Sequence, residues 1–308
     1  MLRKYHFSSQ GAKEEPTQRL QDSNLVLLSR ASQRELEQVC RTFDLDPLTF
    51  AYHSSPEEVS RYHKITSQFL PDAHLLVVYD FIEEATKIEE QLTPVIMIFN
   101  RDHLIICTNN AGPDQELIGR ENNIIEFVAA YVLQCQNKLM ATLTSYKPII
   151  DRLDAAAQNS FGNNELRQLT NLTRKLVFFE HTMNDQVETI EAFLNDPQIN
   201  TSNVGALVSK LAIQQRRLTK VIHIFRDLLN SISGLFTEMM NSRLNNLMKF
   251  LDSAGLVIAT AALVSGFMGM NVGGLPWKDS HVGFWLILGF SLFLAILISI
   301  YLKRKSYR

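Results

Sequence analysis

Two uncharged, apolar segments near the carboxyl end restrict the possible folds more than any other feature of this chain. The first runs from Ala254 to Met270 and the second from Val282 to Leu302. A bilayer core of about 30 Å requires roughly 20 apolar residues in a helix. Hydrocarbon offers backbone amides no partner outside the segment, so a spanning segment must be helical. We therefore expect a membrane hairpin that follows roughly 250 residues of soluble character.

Length and charge narrow the remaining possibilities. The chain has 308 residues and a formal net charge of -2, which leaves room for one soluble domain of about 150 to 200 residues and additional helices. Nucleic-acid-binding domains usually present a strongly basic face, so we expect no nucleic-acid partner. The three cysteines, Cys40, Cys107 and Cys135, lack CxxC spacing. We expect them to be buried, reduced thiols of a cytoplasmic compartment.

The distribution of basic residues predicts how the hairpin is oriented. The first ten residues are polar and lack the apolar core of a secretory signal. The loop between the apolar segments has Lys278 as its only Lys or Arg, offset by Asp279. The second segment is followed by a basic tail that contains Lys303, Arg304, Lys305 and Arg308. By the positive-inside rule, we expect both termini to be cytoplasmic. We also expect a multi-pass protein of the inner (plasma) membrane.

The first 150 residues combine strand and helix patterns. Apolar runs typical of strands occur at residues 25–28, 75–81, 93–99 and 103–108. Ser32 and Glu35 form a capping-box pattern in front of a helix that extends to Thr42. The polar residues 1–23 fit either a frayed tail or an edge strand. We predict a cytoplasmic α+β or α/β domain over residues 1–150.

Helical periodicity dominates after that domain. The runs 121–146, 149–159 and 165–195 have helical spacing, and residues 151–202 are predicted to form a cytoplasmic helical hairpin. A last helix opens at Val204 and meets no proline before Pro276. It is about 100 Å long, of which roughly 30 Å lies in the membrane.

The remaining boundaries follow from that long helix. They are a stalk over residues 203–252, a first membrane helix over 253–271, an outer loop over 272–281, a second membrane helix over 282–302 and a basic tail over 303–308. A lone helix with an apolar stripe is unstable in water, so the stalk needs partners. It is either a coiled-coil spacer on a membrane anchor or a stalk continuous with a pore lining.

The tripeptide Gly269-Met270-Asn271 carries a family resemblance. Placed at the outer end of the first of two carboxyl-terminal membrane helices, it resembles the signature of the CorA family of divalent-cation channels and transporters. Residues 36–47, the block of strands and the long last helix are also similar to that family. The resemblance implies a homopentamer in a lipid bilayer, with a funnel-shaped cytoplasmic domain and five stalk helices that continue into the pore. It implies a transporter, not an enzyme, with no catalytic residues.

The resemblance also assigns roles to individual residues. Asn271 would form a carboxamide ring that holds the hydrated ion at the outer mouth, with Gly269 and Met270 setting the turn beside it. The pore face would comprise Asn245, Met248, Leu251, Gly255, Ala259 and Ala262. Met248 and Leu251 would form an apolar constriction that gates by dewetting, and Asn245 a polar ring at the cytoplasmic mouth. The basic tail, Lys303, Arg304, Lys305 and Arg308, would form a collar around the pore.

The chemistry of the first membrane segment favours magnesium. Mg²⁺ sheds its water reluctantly and takes oxygen ligands, and this segment contains neither His nor Cys. The family implies transported Mg²⁺, Co²⁺ or Ni²⁺, with Zn²⁺ in a branch close to ZntB, and no bound cofactor. Ala259 and Ala262 are smaller than is usual at those positions, Thr260 replaces a frequent proline, and residues 272–277 lack acidic side chains. The loop is therefore more similar to the zinc branch, although the intact Met270 favours magnesium.

Three functions stay open at this point. The first is a pentameric Mg²⁺ channel that cytoplasmic Mg²⁺ closes by bridging acidic groups between subunits, and the second is a Zn²⁺ transporter. The third is a membrane-tethered enzyme or scaffold, against which Asn271 argues. The sensing acids cannot be assigned from the sequence. Glu83, Glu84, Glu89 and Glu90 fit a solvated hairpin tip better than a metal-sensing surface.

Overall fold

Among the described residues, those up to 120 combine strands and helices, and those after 122 are mainly helical. The structure is a computed structural model and describes residues 1–8, 11–14, 19–120, 123–159, 162–199, 205–270 and 281–306. The chain separates into two units, Met1–Ser233 and Gly234–Arg308. We describe each unit by itself.

Seven strands of the described residues form one mixed sheet in the first unit. They are β1 (Leu2–Ser8), β2 (Gly11–Glu14), β3 (Leu25–Ser29), β4 (Arg61–Lys64), β5 (His74–Phe81), β6 (Leu92–Phe99) and β7 (Leu104–Thr108), in the spatial order β2-β1-β3-β7-β6-β5-β4. β3 and β7 run parallel, and the other neighbours are antiparallel. The expectation of an α+β domain is confirmed. Of the alternatives for the amino end, the edge strand is the one observed.

Each face of this sheet is covered by a helix, and the side-chain alternation of β3 illustrates how. Val26 and Leu28 belong to a core shared with α1 (Gln33–Phe43), whereas Leu25 and Leu27 belong to a core shared with α3 (Ile124–Asn159). All residues of β5, β6 and β7 are buried. A strand covered on both faces reads as a continuous apolar run, which is why these strands were recognisable in the sequence.

The capping box predicted for α1 is present. The backbone N–H of Ser32 donates to a carboxylate oxygen of Glu35 at 2.8 Å. This backbone hydrogen bond holds the pKa of Glu35 below its ordinary value. At the other end, Asp44 adopts the left-handed conformation (φ 50°), and its N–H donates to the carbonyl of Cys40. Both ends of the helix are thus satisfied by local residues.

α3 is one helix of 36 residues that continues through Pro148. The sequence pattern separated the runs 121–146 and 149–159, and the structure joins them. Proline inside a helix removes one hydrogen bond and costs about 3 kcal/mol. Pro148 and Thr144, whose carbonyl loses that bond, are both exposed, so water can satisfy the carbonyl. Apolar residues on the opposite side of the helix, Leu143 and Ile150 among them, are buried, and their burial offsets the cost.

Three long helices build a further core of the first unit. α2 (Gln115–Arg120) precedes α3, and α3 packs with α4 (Asn163–Asn195) and the first part of α5 (Gly205–Met268). The α5 side chains buried in this unit recur every three, four or seven residues. They are Leu211, Gln215, Leu218, Ile222, Leu229 and Ile232. The predicted long helix is confirmed, and its last buried residue in this unit is Ile232.

The second unit contains the end of α5 and α6 (His281–Ser306). Among the described residues, two helices are long and apolar enough to cross a membrane, α5 and the segment 282–302 of α6. Large apolar side chains on both helices are exposed in the single chain, with Phe267 at 61% and Phe290 at 57%. Water does not stabilise such surfaces, whereas lipid or further copies of the helices do.

Candidate functional site

The carboxyl end of α5 lies at the predicted signature tripeptide. The N–H of Gly269 donates to the carbonyl of Ser265 at 2.9 Å, and the N–H of Met270 reaches the carbonyl of Phe267 at 3.4 Å. A Cβ atom on Gly269 would lie 3.3 Å from that Ser265 oxygen, a close approach that favours glycine here. Asn271, to which the main ion-binding role was assigned, lies outside the described residues.

The six predicted pore-facing residues all lie on α5 and are exposed in the single chain. They are Asn245, Met248, Leu251, Gly255, Ala259 and Ala262. Met248 is 56% exposed and Leu251 is 58% exposed. A Cβ atom on Gly255 would meet no other atom within 4 Å. This stripe is therefore uncovered within one chain.

The stripe faces away from α6. At about 100° per residue, Gly255, Ala259 and Ala262 point to one side of α5, and Val264 points to the opposite side. Val264 and Met268 are half-buried, and with Leu286, Ile287 and Phe290 of α6 they line a cavity of about 550 Å³. One side of the membrane part of α5 therefore packs towards α6 and leaves the candidate pore stripe on the other side.

Hydroxyl groups within this segment are satisfied by the helix itself. Thr260 Oγ1 donates to the carbonyl of Leu256 at 2.8 Å, and Ser265 Oγ donates to the carbonyl of Ala262 at 3.0 Å. Such internal bonds lower the cost of placing a hydroxyl in hydrocarbon. The stripe between Gly255 and Ala262 consequently presents backbone and methyl groups and no charged side chain.

The basic residues predicted as a collar lie at the end of α6. Lys303, Arg304 and Lys305 belong to the last turns of the helix, and Arg304 is exposed. Arg308 lies outside the described residues. Cationic side chains at the carboxyl end of a helix interact favourably with the helix dipole, and they can also bind lipid phosphates.

No cluster of three or more His, Cys, Asp or Glu side chains with metal-binding geometry is found in the part of the chain that the structure describes. Glu89 and Glu90 lie in the turn between β5 and β6, where Glu90 pairs with Lys87 at 3.0 Å. Both partners of that pair are well exposed. This geometry agrees with the solvated hairpin tip.

The three cysteines are free and buried, as expected. Burial raises the pKa of the Cys107 thiol to about 12 and raises that of Cys135 well above its ordinary value. Burial also raises the pKa of Cys40. Thiols held protonated in this way are poor metal ligands and poor nucleophiles.

Sequence reasoning missed two polar contacts that hold the first part of α5 within the first unit, Met1–Ser233, which we call the soluble unit. Glu180 of α4 binds His223 and Arg226 of α5, and Gln215 of α5 is hydrogen-bonded to Gln136 and Gln186. The available signal was Gln215, a polar residue inside the apolar stripe of α5. Its partners Gln186 and Gln136 precede it by 29 and 79 residues and lie on other helices. The periodicity of one helix does not identify such partners.

Comparison with known proteins gives a match along most of the chain. The family model described as CorA-like Mg²⁺ transporter protein matches residues 23–304. A curated relative from Methanocaldococcus jannaschii, the cobalt/magnesium transport protein CorA, is 29% identical over 82 residues. That alignment covers 27% of this chain and 26% of the relative, so by sequence the chain spans about a quarter of that relative's length.

Solved structures show the fold over a longer range. The complete structure of the CorA magnesium transporter from Methanocaldococcus jannaschii matches with a TM-score of 0.79 and 16% identity, covering 99% of this chain and 98% of the other. The full-length CmaX protein matches with a TM-score of 0.73 and 14% identity, covering 98% and 97%. The ZntB cytoplasmic domain from Vibrio parahaemolyticus gives 0.61 and 10%, covering 78% and 98%.

Proposed function

Because the chain belongs to the CorA-like Mg²⁺ transporter family, a family of divalent-cation transporters, we propose that it is a Mg²⁺ channel of the inner membrane, with both termini in the cytoplasm. Five copies surround one axis, and the last part of α5 lines the pore. α6 forms the outer ring against lipid. Asn271 supplies the outer ring of amides.

The observation that carries this proposal is the uncovered stripe of α5. Its six residues are exposed in the single chain, and its membrane part points away from α6. A membrane anchor made of one hairpin would place similar apolar groups on every lipid-facing side. Here the stripe instead contains small residues, Gly255, Ala259 and Ala262, between an amide at Asn245 and the glycine pair at 266 and 269. Small residues let helices approach closely, as assembly around an axis requires.

Ion selection in this proposal depends on oxygen atoms. A ring of Asn271 amides hydrogen-bonds the water shell that Mg²⁺ keeps. Neither His nor Cys occurs between Ser253 and Met270, so the pore presents no soft ligand that would trap the ion. The membrane potential drives inward flow, since a divalent ion gains about 4.6 kcal/mol per 100 mV, twice the unit-charge value.

Gating in this proposal occurs at Met248 and Leu251. Five copies of each side chain close a ring that expels water, and a small increase in radius lets water and the hydrated ion pass. Cytoplasmic Mg²⁺ favours the closed state by binding acidic groups of adjacent subunits, which requires different affinities for the two states. Basic side chains at the end of α6, Arg304 among them, form the collar at the cytoplasmic side.

Zinc is the second candidate, and the loop after Asn271 favours it. Residues 272–277 contain no acidic side chain, and in this respect the loop resembles the zinc branch of the family. The ion preference can be measured directly by uptake into liposomes. Purified chain in liposomes is supplied with Mg²⁺ or Zn²⁺ at two pH values, and internal dyes report the uptake. We expect Mg²⁺ uptake that does not require a proton gradient; uptake of Zn²⁺ alone, or only with a gradient, would favour the second candidate.

The role of Asn271 is tested in a bacterial strain that lacks its magnesium transporters. The wild-type chain should restore growth at low Mg²⁺, and Asn271→Ala should abolish rescue at equal membrane abundance. Asn171→Ala, an exposed asparagine of α4, is the matched control and should rescue fully. Full rescue by Asn271→Ala would refute the amide ring.

A further inference from the structure

Gln215 is a polar side chain in the middle of the apolar stripe that attaches α5 to the soluble unit, and it is 3% exposed. Its Oε1 accepts hydrogen bonds from Gln136 Nε2 of α3 at 2.7 Å and from Gln186 Nε2 of α4 at 3.1 Å. Its own Nε2 donates to the carbonyl of Met183 at 3.2 Å. One amide of α5 is therefore bonded to two different helices. We call Gln136, Gln186 and Gln215 the glutamine junction.

The junction also reaches the sheet. Gln186 Oε1 accepts a hydrogen bond from the backbone N–H of Tyr79 in β5 at 2.9 Å. Gln136 and Gln186 are 2% and 1% exposed, so all three amides are removed from water. In this environment each bond is worth more than in water, and each unpaired group costs more.

Stability alone does not account for these amides. Apolar side chains of similar size can replace a buried polar network with little loss, or with a gain. Gln136 Oε1 is buried and has no hydrogen-bond partner in the described part of the chain, so the network is not fully satisfied. Apolar packing allows a helix several axial positions against its neighbours. A buried polar group allows only the position in which its hydrogen bonds are made, and so it fixes the register.

The rest of the stripe would tolerate a shift of α5. Moving the helix along its axis by one turn, about 5.4 Å, so that each residue is replaced by the one four positions earlier, keeps an apolar side chain at four of the five other buried positions, for example Leu218 in the place of Ile222. At the junction the same shift brings Leu211 to the place of Gln215. Gln136 and Gln186 would then lose their common acceptor while still buried.

The salt bridge at Glu180 constrains the helix less strictly. Its partners on α5, His223 and Arg226, have side chains that are 42% and 33% exposed. A long guanidinium at the surface can follow a moving partner and exchange it for water. The buried amides of the glutamine junction have no such freedom.

We propose that the glutamine junction fixes the axial register of α5 against α3, α4 and β5, and that Gln215 is thereby a positioning residue for the transport pathway. α5 is one uninterrupted helix from Gly205 to Met268, so the helix whose register is fixed at Gln215 is the helix that also contains Met248 and Leu251. The second half of this inference rests on the proposed function. The first half concerns the soluble unit and can be measured without transport.

The axial register of α5 is measured as the distance between one spin label on α4 and one on α5. Cysteines replace the exposed Ala192 of α4 and Asn230 of α5, which lie about 30 Å apart along the helix axes, in a full-length chain whose native cysteines are changed to alanine. Labelled chain is diluted with excess unlabelled chain, so that pairs within one chain dominate. The test variant is Gln136→Leu/Gln215→Leu, which keeps the bond from Tyr79 to Gln186. The control is Gln214→Leu, the adjacent residue, which donates to Asn137 at the surface.

The wild-type and Gln214→Leu chains should show one narrow distance. The Gln136→Leu/Gln215→Leu chain should show a second distance, displaced by up to about one helical turn of 5.4 Å, and a several-fold change in Mg²⁺ flux in liposomes. A single wild-type distance in the folded variant would overturn the register lock. A displaced distance with unchanged flux would overturn the positioning role.

A second variant protects the test against misfolding. Gln215→Met keeps an unbranched side chain of similar length and removes only the amide, and circular dichroism melting establishes that it folds. It should show the same second distance. If the wild-type chain moves no Mg²⁺ at all, the proposed function fails, while the label distances still decide the register.

Discussion

One guanidinium nitrogen of Arg226 on α5 donates to both carboxylate oxygens of Glu180 on α4, at 2.6 and 2.7 Å. His223, one turn earlier on α5, places Nδ1 2.8 Å from the same carboxylate. Glu180 is 7% exposed, so its charge has few water contacts and depends on these two partners. A buried carboxylate of one helix is thus held by two side chains of the next.

Removing that charge should weaken the soluble unit. In Glu180→Gln an amide replaces the carboxylate. Its NH₂ group takes the place of one carboxylate oxygen, so a donor then faces the Arg226 guanidinium, which is itself a donor. Hydrogen bonds to charged groups contribute about 1.5–3 kcal/mol, and we expect a loss of about that size or slightly less. The measurement is thermal unfolding of the full chain in detergent with a thiol-reactive dye, since the free, buried Cys40, Cys107 and Cys135 react only after unfolding.

The matched control for this prediction removes both members of the Glu180–Arg226 pair. In Glu180→Leu/Arg226→Leu no buried charge is left without a partner, since Asp227, the other partner of Arg226, is 67% exposed, and replacing a buried pair by apolar side chains is often neutral. We expect this double variant to be more stable than Glu180→Gln. A double variant that is less stable than the single one would show that the pair itself, not the orphaned charge, provides the stability.

The apolar ring proposed at Leu251 should respond to a polar substitution. In Leu251→Ser, five hydroxyl groups replace five isobutyl groups, so water is no longer expelled and the closed state becomes permeable. We expect a higher basal Mg²⁺ flux that internal Mg²⁺ no longer suppresses. Met248→Ser should act in the same direction. Uptake into liposomes with high and low internal Mg²⁺ measures both effects.

Phe250→Ser is the control for the ring. Phe250 is 67% exposed and lies next to Leu251 in sequence, but it points to the other side of α5 from Gly255. The substitution removes a large apolar side chain without entering the proposed pore. A flux increase in Phe250→Ser equal to that in Leu251→Ser would contradict the assignment of the pore face.

Gly269 should not tolerate a side chain. A Cβ atom there lies 3.3 Å from the Ser265 carbonyl oxygen, which also accepts the N–H of Gly269. Alanine would therefore move the backbone by a few tenths of an ångström directly before Met270 and Asn271. We expect Gly269→Ala to lower transport at unchanged membrane abundance. Gly289→Ala in α6, where a Cβ meets nothing within 4 Å, should transport normally, and equal activity of the two variants would argue against a tight turn.

The sequence allowed the fold class to be predicted because the core strands are buried on both faces. β5, β6 and β7 are uninterrupted apolar runs, and such runs are legible without a structure. β4, Arg61–Lys64, was missed because its residues are polar and only half-buried or exposed. The parallel pairing of β3 with β7 was also beyond prediction, since Leu25 and Leu104 meet across a separation that no local pattern encodes.

The candidate pore face rests on the family resemblance and stays a prediction. Helix geometry adds only that its residues, which recur every three or four positions on one helix, share one side. The glutamine junction joins three helices, and its partners depend on packing that the pattern of α5 does not contain. Local periodicity identifies which residues share one side of a helix. It does not identify the elements that pack against that side, because those contacts depend on the whole fold.

Acid sensitivity should arise partly from Asp196, at the carboxyl end of α4. The Tyr62 hydroxyl donates to Asp196 Oδ2 at 2.8 Å and lies 2.7 Å from His74 Nδ1. Burial by itself raises the pKa of Asp196, but the N–H of Gln198 and the hydroxyl of Tyr62 lower it, and the net pKa is below the ordinary value. Burial, with the bond to Asp196, raises the pKa of Tyr62, so the phenol remains a donor.

A carboxylate with a lowered pKa stabilises the fold above its unfolded-state pKa, here about 3.8, and loses that contribution as the pH falls through its folded-state pKa. Tyr62→Phe removes a donor and raises the pKa of Asp196, so acid unfolding should begin at a higher pH than in the wild type. Asp196→Asn has no carboxylate, so its stability should fall less steeply with acid. Circular dichroism of the full chain in detergent, titrated from about pH 5 to pH 2, measures all three. Coincident acid transitions in the wild type and Tyr62→Phe would show that the hydroxyl does not control this carboxylate.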